Sequence, residues 1–340
     1  VQDTILIIGA GSIGDTVVAL PCFNAIFRKY ENCRRVLLTR TPENARFTSP
    51  MNVLGETVVD DVFEFEFGSW KTSAIVQLAQ RIRALKPQLA IFIHPGNGFL
   101  NEGPGSVKFI WRQMAFLRIC GVKEFVGLPA ALSLFRNQLD PISGLYEQQA
   151  VFLARRLSEI GPVPVDTDAA WDLRLTAKEN DTATRLLGPL AEQPFIVFHM
   201  GTKQQEGRDW GEPNWRLLCE RLAARYPDMG LVAIGAPTDS DRAKRVQSFW
   251  KGMTINACGQ GSVRETTAVI SRARLFVGHD SGPGHLAAAV RTPIVSIHSD
   301  IELPGKWHPF GPNVKVLRSQ GPIETISVDD VFEAVLRQLA

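Results

Sequence analysis

The sequence predicts an α/β protein of two domains, each a parallel sheet covered by helices. Three observations predict it. Apolar, β-branched runs alternate with helical segments, the alternation starts afresh in the second half, and a glycine turn follows an apolar run in each half. With 340 residues, 45% of them hydrophobic and 21% charged, the chain has material for about two cores.

In the first half, residues 4–8 read as a buried strand, GAGSIGD as a loop and TVVALPCFNAIFRKY as a helix that Pro21 should kink. A strand at 34–39, a helix at 74–86 and a strand at 88–94 continue the pattern. A helix across 146–160 leads to GPVPVDTD (161–168), whose prolines and acids mark the domain junction, and a helix at 178–190 follows. The second series runs through FIVFHMG (195–201), a helix at 214–225, GLVAIGAP (230–237), a helix from Ser240, LFVGHDSG (275–282), HLAAAV and PIVSIH (293–298). The domains expected are 1–165, 166–325 and a terminal helix within 326–340.

Lys and Arg (37) nearly balance Asp and Glu (35), so the net charge of +2 gives no global field for nucleic acid. Any anion site must be local. The five cysteines are scattered and form no CxxC pair, which suits a reducing cytoplasm and no zinc site. The opening ILIIGAG is too short for a signal-peptide core, and no run approaches the roughly 20 apolar residues of a membrane span.

Gly9, Gly11 and Gly14 form GxGxxG between strand and helix, where glycines let a phosphate approach backbone N–H groups. For a dinucleotide the second strand should end in an acid; it ends in Thr39 and Arg40, which suits only a 2′-phosphate and leaves an NADP-dependent oxidoreductase as one reading. Asp15 in the first helical turn opposes a pyrophosphate there. It reads either as a helix cap or as a general base above the sheet.

The second turn, HDSGPGHLAAA, offers the Ser281 hydroxyl and the backbone of residues 282–284 to an anion, with His285 on the same side and Asp280 able to accept from ribose hydroxyls. The alternative is that Asp280 and Ser281 cap the helix around a buried histidine. Arg208 reads as a phosphate partner or a solvated cation, and Trp210 and Trp215 as site or packing residues. His94, His199, His279, His298 and His308 form no metal-binding motif. Residues 107–123 mix Lys108, Arg112, Arg118 and Lys123 with bulky apolar side chains, as a half-buried helix or as a surface for an anionic lipid-linked glycan.

Taken together, GSIGDTVVALPCFNAIF, HMGT with GRDWGEPNWRLL, GAPTDSDRAKRV, HDSGPGHLAAAV and PIVSIHSDIELPGKWHPFGPNVKVL resemble, in order, the blocks of the ADP-heptose:lipopolysaccharide heptosyltransferase family, glycosyltransferase family nine. The resemblance implies the GT-B fold, two Rossmann-like domains whose parallel sheets face a central cleft, with acceptor bound mainly by the first (1–165), nucleotide-sugar donor mainly by the second (166–325), and the C-terminal helix in 326–340 packing back on the first domain. It implies inverting, metal-independent transfer of a heptose from ADP-heptose to a lipopolysaccharide-type or other anionic, lipid-linked glycan. No cofactor is implied, since the nucleotide-sugar is a substrate.

The implied place is the cytoplasm, against the inner face of the cytoplasmic membrane. Carried over by residue, Asp15 is the base, with Gly11, Ser12, Gly14 and Arg40 on the acceptor-side loop. Thr202 and Arg208 meet the donor phosphates, Asp239 or Asp241 the ribose, and Asp280, Ser281, Gly282 and His285 form the nucleotide-side turn. Arg208 stands where the family carries lysine, and Lys203 is the second candidate for that contact. A non-catalytic nucleotide-sugar binding protein of the same fold is the third class.

Overall fold

The computed structural model describes residues 3–9, 11–40, 48–65, 72–93, 104–128, 136–202 and 207–340. They form two compact units, divided between Asp172 and Leu173.

The first unit contains β1 (Thr4–Gly9), α1 (Ile13–Val18), α2 (Leu20–Lys29), β2 (Arg34–Arg40), α3 (Met51–Val58), β3 (Asp61–Phe65), α4 (Thr72–Leu85), β4 (Leu89–Ile93), α5 (Pro104–Ile119), β5 (Glu124–Val126) and α6 (Gln149–Arg156). Its strands lie in the order β3-β2-β1-β4-β5, all parallel. β1 and β4 are buried along their whole length, as parallel strands covered on both faces must be. The kink expected from Pro21 is a full break: α1 ends at Val18, and Pro21 is the second residue of α2, where its missing N–H costs no intrahelical bond.

The second unit contains α7 (Ala177–Leu187), β6 (Phe195–His199), α8 (Glu212–Arg225), β7 (Gly230–Ile234), α9 (Ser240–Gln247), β8 (Thr254–Asn256), α10 (Val263–Ile270), β9 (Leu275–His279), α11 (Gly282–Ala289), β10 (Ile294–His298), β11 (Val314–Arg318) and α12 (Val328–Leu339). The strand order is β11-β10-β9-β6-β7-β8, again all parallel. Capping boxes start α7 (Thr176 with Glu179) and α10 (Ser262 with Glu265). The terminal helix α12 places Val328, Val331, Ala334 and Val335 in the core of this second unit, beside Trp210, Leu218 and Val295.

The division falls just after the segment expected to be the junction, and the residues between the two are tied to the first unit. Asn24, buried in α2, donates from Nδ2 to the carbonyls of Ala170 at 2.8 Å and Asp172 at 3.1 Å. Trp171 is buried and donates from Nε1 to Val165 O at 2.7 Å. Just past the division, buried Arg264 donates to Leu173 O at 2.9 Å and Arg174 O at 2.8 Å, and pairs with Glu179. Two side-chain clamps, one in each unit, thus set where one unit ends and the next begins.

Asn24→Ala leaves two carbonyls without their donor and should cost about 1–3 kcal/mol in urea unfolding. It should also speed chymotryptic cutting after Trp171 in the native protein. A variant with unchanged stability and cutting would show that the clamp does not hold this segment.

Candidate functional site

In each sheet the chain reverses its direction of growth between two adjacent strands, β1 and β4 in the first and β6 and β9 in the second. The crevice beyond the carboxyl ends of such a pair is where open α/β sheets bind ligands. The glycine loop with Asp15 follows β1, and the turn Asp280–Ser281 follows β9.

In the first unit, Ser12 N-caps α1, and its backbone N (2.9 Å) and Oγ (2.8 Å) both donate to Asp15 Oδ2. Asp15 is therefore the N3 carboxylate of a capping box rather than the cap residue. A Cβ on Gly11 would sit 2.6 Å from that same Oδ2, so only glycine lets the carboxylate fold back over the loop. The space a pyrophosphate would need above Gly11 holds a carboxylate, which counts against the NADP reading. Gly14 is inside α1, and Arg40 is the last residue of β2.

In the second unit, β6 and β9 both end in histidine. Ser281 Oγ donates to His279 O at 3.0 Å and lies 3.2 Å from His199 Nδ1, tying the two strand ends together. His279 Nε2 accepts from the backbone N of Trp210 at 3.0 Å, which assigns the ring proton to Nδ1. Trp210 and Trp215 are fully buried and meet edge to face at 5.3 Å, so the packing reading holds for their rings. It is the backbone of Trp210 that reaches the switch point.

Arg208 lies between two carboxylates: Nη1 is 3.4 Å from Asp280 Oδ2 and Nη2 is 2.5 Å from Glu302 Oε1. Burial pushes the Asp280 carboxyl above its ordinary range, while His285 and Arg208 pull it back. His298 Nδ1 approaches the same Oδ2 at 3.8 Å and its Nε2 contacts Ser296 Oγ at 2.8 Å. His285 is buried, its ring edge-on to Trp307 at 6.3 Å. Beside this cluster Arg242 grips Asp209 with both Nη atoms, at 2.7 and 2.8 Å, and desolvation of Asp209 is outweighed so that its pKa is lowered.

Asp239 Oδ2 accepts from Ala236 N at 2.8 Å, and a Cβ on either Gly201 or Gly235 would sit 2.6 Å from it. Its carboxylate fills a cradle after β6 and β7, next to Thr202, and Asp241 is exposed on α9. Lys203 lies outside the described residues. The structure thus joins Arg208 to Asp280 and sets Ser281 beside His199. Sequence reasoning did not select His199, His279, His298, Asp209, Arg242 or Glu302; a histidine closing each of three buried strands is the signal it passed over. Among the described residues no cluster of three or more His, Cys, Asp or Glu could hold a metal ion.

The model of glycosyltransferase family 9 (heptosyltransferase) matches residues 130–333. The chain belongs to glycosyltransferase family 9. This family-9 chain is 26% identical over 181 residues to lipopolysaccharide heptosyltransferase 3 of Escherichia coli (strain K12), an alignment covering 52% of the chain and 51% of the relative. The chain thus spans about half the length, or less, of the curated relatives it matches.

Among solved structures, a glycosyl transferase family 9 protein from Veillonella parvula DSM 2008 superposes with a TM-score of 0.73 at 15% identity, covering 100% of this chain and 98% of that one. The E. coli heptosyltransferase WaaC with ADP-2-deoxy-2-fluoro heptose gives 0.67 at 16% identity, covering 98% of this chain and 99% of that one. These likenesses establish the fold, the pair of parallel-sheet α/β domains expected for GT-B.

Burial lowers the pKa of His199 to about 4 and of His298 to about 3, and it also lowers that of His279. An unfolded histidine takes up its proton near pH 6.5, so below that pH the unfolded chain binds protons the folded chain refuses. Stability should therefore fall from about pH 6.5 down to about 4 for His199 and about 3 for His298. In urea titrations His298→Gln should flatten the slope below pH 6 by about one proton, about 1.4 kcal/mol per pH unit. An identical slope would mean that His298 is not held neutral.

Proposed function

We propose that this chain is an inverting glycosyltransferase that moves a heptose from ADP-heptose to a lipopolysaccharide-type, lipid-linked glycan without a metal ion. One observation carries the reading: in a family-9 chain, the switch point of the second sheet gathers Arg208, Ser281, Asp280 and the start of α11. That set suits a nucleoside diphosphate, with a guanidinium and helix N–H groups for phosphate oxygens and a carboxylate for hydroxyl donors. The WaaC structure likewise carries an ADP-heptose analogue.

In the reaction an acceptor hydroxyl oxygen attacks the anomeric carbon as the bond from that carbon to the diphosphate oxygen breaks. Asp15 takes the hydroxyl proton. Ser12 donates twice to Oδ2 and so orients the carboxylate, whose Oδ1 receives the proton. The leaving ADP keeps the electron pair; Thr202, Arg208 and the Gly282 N–H at the start of α11 offset its charge. Lys203 supplies a second cation for those phosphates. Peripheral contact with the inner face of the cytoplasmic membrane brings the enzyme to its acceptor.

Because Asp15 also closes a capping box, Asp15→Ala mixes loss of a base with loss of a cap, and Asp15→Asn is the sharper test. Asp15→Asn should keep the ADP-induced rise in melting temperature and lower kcat by a factor on the order of 10² or more. Undiminished turnover in the folded variant would overturn the assignment. ADP should stabilise the wild type where NADPH does not.

Transfer should also persist in excess EDTA, since Arg208 and backbone donors take the part a divalent ion would play. Activity lost to EDTA and restored by one divalent ion would contradict the metal-independent reading.

A further inference from the structure

Helix α5 has one face in the core of the first unit and another that is exposed. Leu117 and Cys120 are buried, and Phe116 packs against the same core. The outward stripe is Trp111, Arg112, Ala115, Arg118 and Ile119, with Trp111 61% and Ile119 69% exposed. Spacings of three, four and seven put these residues on one side of a helix.

Cations gather along this stripe. Arg118 donates to Lys123 O at 3.1 Å with its guanidinium over the Phe125 ring at 5.1 Å, and Arg83 of α4 donates to Ile119 O at 3.2 Å. Residues 104–123 contain Lys108, Arg112, Arg118 and Lys123 and no acid, in a chain whose charges otherwise nearly cancel. Glu124, next along the chain and exposed, is the acid nearest in sequence.

A large aromatic and a branched aliphatic side chain set among cations on a helix lying along the surface is the pattern of an interfacial helix. The aromatic and aliphatic groups suit the headgroup and acyl boundary, and the cations suit a plane of phosphates. We infer that α5 is the element by which this chain docks on an anionic phospholipid surface, with Trp111 and Ile119 entering the headgroup region and Arg112, Arg118 and Lys123 meeting lipid phosphates. No described helix is long and apolar enough to cross a membrane. The inference rests on the proposed reading only for the expectation of membrane contact, which it places on one helix. It does not depend on the transfer chemistry.

The test is co-sedimentation of the full chain with vesicles of phosphatidylglycerol and phosphatidylcholine, and with phosphatidylcholine alone, in the absence of any glycan. Wild type should bind the first and not the second. The Trp111→Ser/Ile119→Ser and Arg112→Glu/Lys123→Glu double variants should each lower the partition coefficient by about tenfold or more. Arg118 is left in place because it packs on Phe125 and closes the end of the helix.

Tryptophan quenching by brominated acyl chains should be lost in Trp111→Phe. Circular dichroism and the ADP-induced melting shift check that the variants are folded and that the donor site is intact. Absence of wild-type binding to phosphatidylglycerol vesicles, or equal binding by wild type and both folded double variants, would overturn the docking surface. Failure of the transfer reading would show instead as a missing ADP shift, whatever the vesicles do.

Discussion

The candidate site of the second unit depends on buried histidines kept neutral at the carboxyl ends of parallel strands. β6, β9 and β10 end in His199, His279 and His298, and burial holds all three rings below their ordinary pKa. At a strand end the sheet's own hydrogen bonds run out, and the next polar groups must find partners without water. A neutral imidazole supplies a donor and an acceptor there without the desolvation cost of a charge. His279 uses its acceptor to fix the backbone of Trp210, while Ser281 bridges from His279 O to His199. The loops bearing Arg208 and Ser281 are thereby referenced to the sheet rather than only to each other.

On that frame the charges are arranged so that none is left alone. Arg208 touches Asp280 and Glu302, and Arg242 holds Asp209, which in turn accepts from Gly211 N. A lone buried guanidinium or carboxylate would carry a desolvation penalty of several kcal/mol. Paired charges reduce that penalty. Burial outweighs the opposing charges around Asp280 and raises its pKa. A group in that condition gains from further hydrogen-bond donors, as ribose hydroxyls would supply.

The interior strands of both sheets were legible in the sequence, and the strands missed were the edges. β1, β2, β4, β6, β7, β9 and β10 read as apolar runs because both faces are covered. β3, β5, β8 and β11, which bound the two sheets, carry charged or half-exposed residues such as Glu64, Glu124, Thr254 and Lys315 and so lack a continuous apolar run. The site divides in a similar way. Glycine turns and Asp15, Asp280 and Ser281 stand out because they follow strands directly. Arg208 meets Glu302 across 94 positions and Arg242 meets Asp209 across 33, pairings that only the closed sheet order creates. Prolines and acids marked 161–168, and the units divide a few residues later, where a buried asparagine many positions upstream holds Ala170 and Asp172.

The sequence left Asp15 as either a cap or a base, and the capping geometry makes the two roles compatible. A general base must be held in place before the substrate arrives, since a freely rotating carboxylate loses much of the benefit of proximity. The capping box does this by spending one oxygen, Oδ2, on the Ser12 backbone and hydroxyl, and Gly11 leaves the room that this fold-back requires. A structural role for one oxygen would thereby leave the proposed chemistry to the other. The glycine needed beneath the carboxylate explains why the loop resembles a phosphate-binding fingerprint while its most exposed charge is negative: the close approach that glycine permits is to Asp15 itself.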